Sequence, residues 1–309
     1  MTGQNKSSCQ RETGSSIGDM MALKCISPIP PNDTDRNAGS LYTELLKGCL
    51  SRSLFGERYR PLVRPRVSRG WRRLWWRAVY PVVSRTLEQV GLELVRQAHF
   101  DAEACARGGY QHSEAESMIG LTGLSNVQEC VIDCLHRDVP GDLMEAGVCR
   151  GGTTILMRAL LIVYGDSHRR VWVADSFEGC PKPREEAERG DRHWENGFIA
   201  VGLEEVQENF KRYGMLDDRV RFLRGWFCDT LPNAPIEKLA VLRIDGDMYS
   251  STMDVLRAMY HRVSPGGYVI IDDYYTIDNC RKAVDEFRAE RGITSKVRPV
   301  DFCRGYWQV

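Results

Sequence analysis

Little in this sequence departs from an ordinary globular protein, and each missing feature excludes a class. The 309 residues carry a formal net charge of zero, so bulk charge indicates neither a nucleic-acid nor a membrane partner. The longest apolar run, residues 155–164, is broken by Arg158 and is too short to cross a bilayer. The N-terminus has no apolar signal core, and we therefore expect a cytoplasmic protein.

Common metal-binding and nucleophile motifs are missing as well. The 11 cysteines include no CxxC pair, and Cys130 and Cys134 have the spacing of neighbours on a helix. We therefore expect reduced thiols, mostly in the core, and no structural zinc. No Cys/His pair has a motif context, which leaves nucleophilic hydrolysis with little support. His193, in a polar loop, is interpreted as a surface residue, with a role in a lid as the alternative.

What the chain does contain divides it into three regions. Residues 1–38 are polar and rich in Gly, Ser and Asn, and are predicted to be a flexible tail. From Leu41 an apolar, helix-like pattern begins, and residues 39–110 are predicted to form a helical accessory or lid segment, of which residues 57–85 are rich in Arg and Trp. That combination is also found at nucleic-acid and membrane surfaces. Because prolines interrupt it, we favour a segment whose Trp side chains pack on the main domain.

Residues 111–309 alternate short apolar runs with helical patterns. The runs are nearly continuous in apolar residues, which is typical of parallel strands buried on both faces. They predict an α/β fold with a doubly wound, Rossmann-like sheet. Two final strand-like pieces, SKVRPVDF and GYWQV, would add an antiparallel C-terminal strand. That ending is typical of class I methyltransferases and unusual for dinucleotide dehydrogenases.

Residues that follow the first two strands indicate a nucleoside cofactor. In doubly wound sheets, ligands bind at the carboxyl ends of the strands. The segment LMEAGVCRGGTT supplies glycines and a helix N-terminus, and its Glu145 before Gly147 is more typical of S-adenosylmethionine sites than of pyrophosphate sites. Asp175 after the second strand could accept hydrogen bonds from ribose hydroxyls. A tight turn and a helix N-cap remain the alternatives for these two features.

Carboxylates follow the fourth and fifth strands. Asp245 and Asp247 end the run KLAVLRIDGD, and Asp272 and Asp273 end GGYVIIDDY. Because neighbouring parallel strands end at the same edge, these side chains should converge, and their repulsion would raise their pKa values. An oxygen-ligated cation such as magnesium or calcium would remove that conflict. Solvated loop carboxylates are the alternative.

Together these motifs carry a family resemblance. They occur in the order ESMIGLTGL, VPGDLMEAGVCRGGTTILMRA, VWVADSFEGCPKP, RYGMLDDRVRFLRGWFCDTLP, LRIDGDMYSSTMDVL and SPGGYVIIDDY. From about Leu41 to Val309 the chain resembles the macrocin O-methyltransferase (TylF) family. Members of that family are magnesium- and S-adenosylmethionine-dependent enzymes of antibiotic tailoring, which methylate hydroxyls on deoxysugars of macrolides or aminocoumarins.

The resemblance implies roles for individual residues. Asp245, Asp272 and Asp273 are expected to ligate Mg²⁺, with Asp245 also the base and Asp247 structural. Cofactor contacts are expected from Met118, Ile119, Glu145, Ala146, Gly147, Val148, Cys149, Asp175, Ser176, Phe177, Gly225 and Trp226. The implied partner is a glycosylated small molecule, with no nucleic acid or membrane, and we expect a homo-oligomer. An NAD(P)-dependent sugar oxidoreductase or epimerase is the alternative function.

Overall fold

A computed structural model describes residues 37–62, 71, 75–110, 112–195 and 197–309. The predicted tail, residues 1–38, lies outside the described residues apart from its last two. No helix of the described part is long and apolar enough to cross a bilayer. The nine cysteines in that part are free thiols, as their spacing predicted, and five of them are buried.

The accessory segment begins with a helix, as the apolar pattern from Leu41 predicted, and also contains a short strand pair that was not predicted. Its elements are α1 (Ala38–Leu50), β1 (Tyr59–Pro61), a π-helical turn (Trp75–Val79), α2 (Tyr80–Glu88), β2 (Val95–Gln97) and α3 (Ala102–Ala106). β1 and β2 pair antiparallel. Trp71 is 77% exposed, and Trp75 and Trp76 contact each other and Tyr80.

Within the described residues, seven strands form one mixed sheet. They are β3 (Asp142–Ala146), β4 (Val171–Asp175), β5 (Val220–Arg224), β6 (Leu239–Ile244), β7 (Val263–Ile271), β8 (Arg298–Pro299) and β9 (Gly305–Gln308). Their order across the sheet is β5-β4-β3-β6-β7-β9-β8. β3 to β7 are parallel, whereas β9 is antiparallel to β7 and β8. The predicted doubly wound sheet with an antiparallel C-terminal strand is therefore confirmed.

Helices cover both faces of this sheet. They are α4 (Gly120–His136), α5 (Gly152–Val163), α6 (Leu203–Arg212), α7 (Phe227–Thr230), α8 (Tyr249–Met259) and α9 (Asp278–Glu290), with short 3-10 turns at Glu186–Glu188, His193–Glu195, Gly197–Ile199 and Tyr260–Arg262. Leu46 and Leu50 of α1 join the core that α4, α5 and α6 form on one face. Leu256 and Phe287, from α8 and α9, belong to the core of the other face. Both faces are thus apolar, which explains why β3 and β6 read as continuous apolar runs.

The predicted third strand was too long at its end. The run RVRFLRGWF, residues 219–227, predicts a strand over its whole length, but β5 stops at Arg224 and a short helix begins at Phe227. Gly225 makes the turn between them with φ +133, a backbone conformation that L side chains rarely adopt. The strand order reverses between β3 and β6, and this switch point is where doubly wound sheets bind their ligands.

Candidate functional site

A cleft of about 990 Å³ opens at the carboxyl ends of the parallel strands. That volume is sufficient for a nucleoside cofactor beside a second small molecule. Among the predicted site residues, those that line the cleft are Met118, Ile119, Glu145, Gly147, Val148, Cys149, Asp175, Ser176, Trp226, Asp245, Asp272 and Asp273. Ala146, Phe177 and Gly225 do not line it; they shape the backbone behind the lining side chains.

The half of the cleft above β3 and β4, called here the cofactor half, is organised by Asp175. Its carboxylate accepts the backbone N–H groups of Val148 and Phe177, each at 2.8 Å. Burial raises the pKa of Asp175, although these backbone hydrogen bonds favour its ionised form. Asp175 therefore holds the loop after β3 and the loop after β4 together at the cleft.

Gly147 is required at the start of the loop that follows β3. Its φ is +88, and a Cβ there would lie 1.9 Å from the carbonyl oxygen of Asp245. Only glycine allows β3 and β6 to approach so closely at their ends. Cys149, with φ 47, is a non-glycine residue in the left-handed region of the same loop.

Glu145 is the buried acid of the cofactor half. It is 1% exposed, and one of its oxygens, Oε1, accepts a hydrogen bond from Arg243 Nη1. Its other oxygen, Oε2, is buried and makes no hydrogen bond of normal geometry among the described residues, although the Thr153 hydroxyl helps to stabilise the ionised carboxylate. Burial raises the pKa of Glu145 to about 7, against the opposing effect of the Arg243 guanidinium.

The half above β6 and β7, called here the cation half, gathers acidic groups. Carboxylate oxygens of Asp245, Asp247 and Asp273 lie within 4.8 Å of one another. Burial and the neighbouring Asp245 raise the pKa of Asp247 to about 7. Burial and the charges of Asp272 and Asp247 raise that of Asp273 to about 8. The pKa of Asp245 is also well above its usual value, because this half-buried carboxylate loses hydration and lies beside the charge of Asp272.

Asp272 differs from these three because it is paired with two guanidinium groups. Its Oδ1 accepts Arg304 Nε at 2.6 Å and also Arg243 Nη2. Burial opposes its ionisation, but Arg304 and Arg243 together hold the pKa of Asp272 below its usual range. The second oxygen, Oδ2, is not used by either arginine. Asp272, Asp273 and Cys303 form a second group whose ligand atoms lie within 4.8 Å.

Sequence reasoning missed the two arginines. Arg243 is 1% exposed and Arg304 is 5% exposed. A signal for Arg243 was present, since it interrupts the buried strand LAVLRI and a buried charge needs partners. Arg304 had no such signal, because it follows an irregular turn. Asp247 converges with the other aspartates, as its position after β6 predicted, and its role, expected to be supporting or structural rather than that of a ligand, stays a prediction.

The segment of residues 180–202, called here the lid, is anchored to the helices that follow β6 and β7. Glu188 is completely buried and accepts both the N–H and the hydroxyl of Ser250 at 2.6 Å. Asp191 accepts Asn279 Nδ2 at 3.2 Å and contacts His193 Nδ1 at 2.6 Å. His193 lines the cleft, as the lid alternative for this residue required.

With the geometry described, three comparisons place the chain among known proteins. The family model described as macrocin-O-methyltransferase (TylF) matches residues 39–309. The chain is 51% identical over 212 residues to an "8-demethyl-8-(2,3-dimethoxy-alpha-L-rhamnosyl)-tetracenomycin-C 4'-O-methyltransferase" of Streptomyces olivaceus, covering 67% of this chain and 81% of that protein.

A second relative and a solved structure agree with this match. The "Demethyldecarbamoylnovobiocin O-methyltransferase" of Streptomyces niveus is 48% identical over 217 residues, covering 69% of this chain and 83% of that protein. The solved structure of the O-methyltransferase NovP superposes with a TM-score of 0.73 at 39% identity, covering 87% of this chain and 98% of that one.

Proposed function

Since the chain belongs to the macrocin O-methyltransferase family, we propose that it methylates a deoxysugar hydroxyl of a glycosylated natural product, using S-adenosylmethionine and Mg²⁺. The enzyme class itself, an O-methyltransferase, follows from the family, and the oxidoreductase alternative is set aside. The observation that carries the finer proposal is a single cleft in which Asp175 lies on one side of the switch point and clustered aspartates on the other.

The cofactor half fits S-adenosylmethionine. We assign the ribose hydroxyls to Asp175, and the buried Oε2 of Glu145, which makes no hydrogen bond of normal geometry among the described residues, is suited to an ammonium group such as that of the methionine end. Because Gly147 has no side chain, the backbone of this turn is accessible to a bound cofactor. When bound, the cofactor supplies an electrophilic methyl group, and the protein positions the acceptor oxygen in line with it.

The cation half fits a hard divalent ion. Three carboxylates with raised pKa values repel one another, and an added positive charge would remove that repulsion. We assign the ligands to Asp245, Asp273 and the free oxygen of Asp272, since oxygen donors suit Mg²⁺. Such an ion makes a nearby hydroxyl more acidic.

The proton of the acceptor hydroxyl is assigned to Asp245. Asp247 is a second candidate, because its carboxylate belongs to the same group within 4.8 Å. The two residues can be separated by their asparagine variants. A ligand lost to Asn weakens Mg²⁺ binding in calorimetry, whereas a base lost to Asn lowers kcat and leaves the cation affinity unchanged.

The acceptor class rests on the relatives. The tetracenomycin relative is named for methylation of a rhamnosyl compound, and the novobiocin relative for an antibiotic precursor. We infer a role in antibiotic biosynthesis and a macrolide- or aminocoumarin-type glycoside as acceptor. Trp194 of the lid is 39% exposed and Phe302 is 57% exposed, and both line the cleft. They offer apolar surface to an aglycone.

One assay tests the proposal. Purified protein is incubated with methyl-labelled S-adenosylmethionine and a panel of glycosylated natural products, with Mg²⁺ or with a chelator. We expect the labelled methyl group on the sugar of at least one acceptor. We also expect the chelator to abolish transfer and added Mg²⁺ to restore it. Full transfer in the chelator would remove the cation from the proposal, and transfer to none of the glycosides would remove the acceptor class.

We also propose a homo-oligomer. Leu45 of α1 is 58% exposed and Val82 of α2 is 65% exposed, which leaves apolar surface for a second copy. Light scattering during size exclusion tests this, and a monomer at micromolar concentration would contradict it.

A further inference from the structure

Arg243 lies between the two halves of the cleft. Its Nη1 donates to Glu145 Oε1 of the cofactor half and to Asp245 Oδ2 at 3.2 Å, and its Nη2 donates to Asp272 Oδ1 of the cation half. A single guanidinium thus contacts the acidic side chains of three neighbouring strands.

The sheet register produces this arrangement. On parallel neighbours β3 and β6, Glu145 is the register partner of Arg243, so both side chains point to the same face at the strand ends. β7 lies on the other side of β6 and brings Asp272 alongside. The planar fork of Arg presents donors in fixed directions to two carboxylates at once, whereas the ammonium of Lys is a compact point charge on a shorter side chain without that fixed geometry.

The ion-pair chain continues beyond Asp272. Arg304 contacts Asp272 through Nε and Asp301 through Nη1, the latter at 2.7 Å. Arg304 therefore belongs to the cation half. In the part of the protein that the structure describes, it makes no hydrogen bond or ion pair with Glu145. Within this series of ion pairs, Arg243 is the residue that contacts acidic side chains of both halves.

From this geometry we propose that Arg243 is a positioning residue that couples the halves, so that a divalent cation and the methionine end of the cofactor bind cooperatively. The proposal rests on the proposed function, since it takes the two ligands from there. Without a cation, Asp245 and Asp272 compete with Glu145 for the one guanidinium. A cation supplies the charge that the two aspartates draw from Arg243, and the fork is then free to hold Glu145 in place for the cofactor's ammonium.

The test begins with the unaltered full chain. Calorimetry gives the Kd of S-adenosylhomocysteine in chelator and in saturating Mg²⁺, and the Kd of Mg²⁺ with and without S-adenosylhomocysteine. We expect Mg²⁺ to tighten S-adenosylhomocysteine binding by about fivefold or more, and linkage requires the same factor in the reciprocal titration.

Variants locate the coupling. Arg243→Lys keeps the charge but loses the fork, and is expected to bring the coupling factor close to one. Glu145→Gln removes the other end of the bridge, with the same expectation, and serves if Arg243→Lys fails to fold by circular dichroism. Arg304→Lys is the matched control: it perturbs Asp272 without touching Glu145, so cation affinity changes while the coupling factor is retained.

The outcomes separate the two proposals. If both ligands bind the unaltered protein but each Kd is indifferent to the other ligand, within about twofold, the coupling is wrong and the proposed function stands. If S-adenosylhomocysteine does not bind at all, both are wrong. If Arg243→Lys and Glu145→Gln both keep the full factor, the coupling exists but Arg243 is not its cause, and the inference is overturned.

Discussion

The two halves of the cleft treat their carboxylates in opposite ways. In the cofactor half, both oxygens of Asp175 accept backbone N–H groups of the loops they hold. In the cation half, Asp245, Asp247 and Asp273 face one another, and the pKa of each is raised. The pKa values of Asp175 and Glu145 are raised mainly by burial, whereas in the cation half the charges of neighbouring carboxylates add to that effect, and we propose that a cation offsets it.

This difference predicts that the carboxylates of the cation half lower the folding stability of the metal-free protein. Backbone donors offset part of the cost of burying Asp175, while mutual repulsion adds to the cost of burying the aspartates of the cation half. The same substitution, Asp to Asn, should therefore have effects of opposite sign on stability in the two halves. The predictions below test this contrast, beginning with the largest effect.

Asp245→Asn should cause the largest loss. The variant loses a proposed cation ligand and the proposed base together, and we expect kcat to fall by about 10²- to 10⁴-fold, the usual effect of removing a general base. Labelled methyl transfer with saturating Mg²⁺ measures it. Asp218→Asn, at an exposed position outside the cleft, is the control that should keep its activity. Near-native turnover of Asp245→Asn would show that this residue is neither base nor ligand.

Asp175→Asn and Asp273→Asn compare the halves directly in the metal-free protein. Asn at 175 places an amide NH₂ against one of two backbone N–H groups, so the free energy of unfolding should fall by about 1–3 kcal/mol. Asn at 273 removes the repulsion with Asp247 and Asp272, so the free energy of unfolding should rise by roughly 1 kcal/mol or more at pH 8.

Urea unfolding followed by circular dichroism measures both variants. Each variant should also lose affinity for one ligand only, Asp175→Asn for S-adenosylhomocysteine and Asp273→Asn for Mg²⁺. Destabilisation by both substitutions would contradict the contrast between the halves.

The lid offers a smaller test on the edge of the cation half. Glu188→Gln replaces an acceptor of the Ser250 N–H and hydroxyl with a group that is half donor. We expect a loss of about 1–3 kcal/mol in stability and a higher KM for the acceptor. Glu186→Gln, in the same short turn with a side chain 82% exposed, is the matched control and should change neither. If the two variants had the same stability and the same KM, the contact between Glu188 and Ser250 would have no role in acceptor binding.

The sheet was predictable from the sequence because the signals for buried strands lie in short, continuous stretches of residues. Buried parallel strands need continuous apolar runs, and glycine at 147 is demanded by backbone geometry, so both leave a pattern in the letters. The two arginine partners of Asp272 left almost none. Arg304 reaches Asp272 from a turn 32 residues later, and only the packing of β9 beside β7 brings them together. The lid anchors Glu188 and Asp191 were invisible for the same reason, since their partners follow distant strands.

The strand ends show a second limit of local reasoning. Residues 219–227 are apolar enough to continue a strand, but the φ of Gly225 turns the chain and exposes Trp226 to the cleft. The four aspartates were correctly expected to converge, because parallel neighbours end at one edge. Their different environments were not predictable, since they depend on which carboxylate the buried arginines reach.

Stability should also depend on pH. The pKa values of Asp247 and Asp273, about 7 and about 8 in the fold, exceed the value of about 4 in the unfolded chain. The native state therefore binds more protons, and the metal-free protein should lose stability as the pH rises from about 5 to 8. Asp272, with its lowered pKa, acts only below this window. Saturating Mg²⁺ should remove the part of this slope that comes from the two aspartates, because its charge replaces their protons, and should leave the part that comes from Glu145, whose pKa of about 7 is also raised. Thermal melts at pH 5 to 8, with chelator or with Mg²⁺, measure this; parallel profiles would show that the cation half needs no added charge.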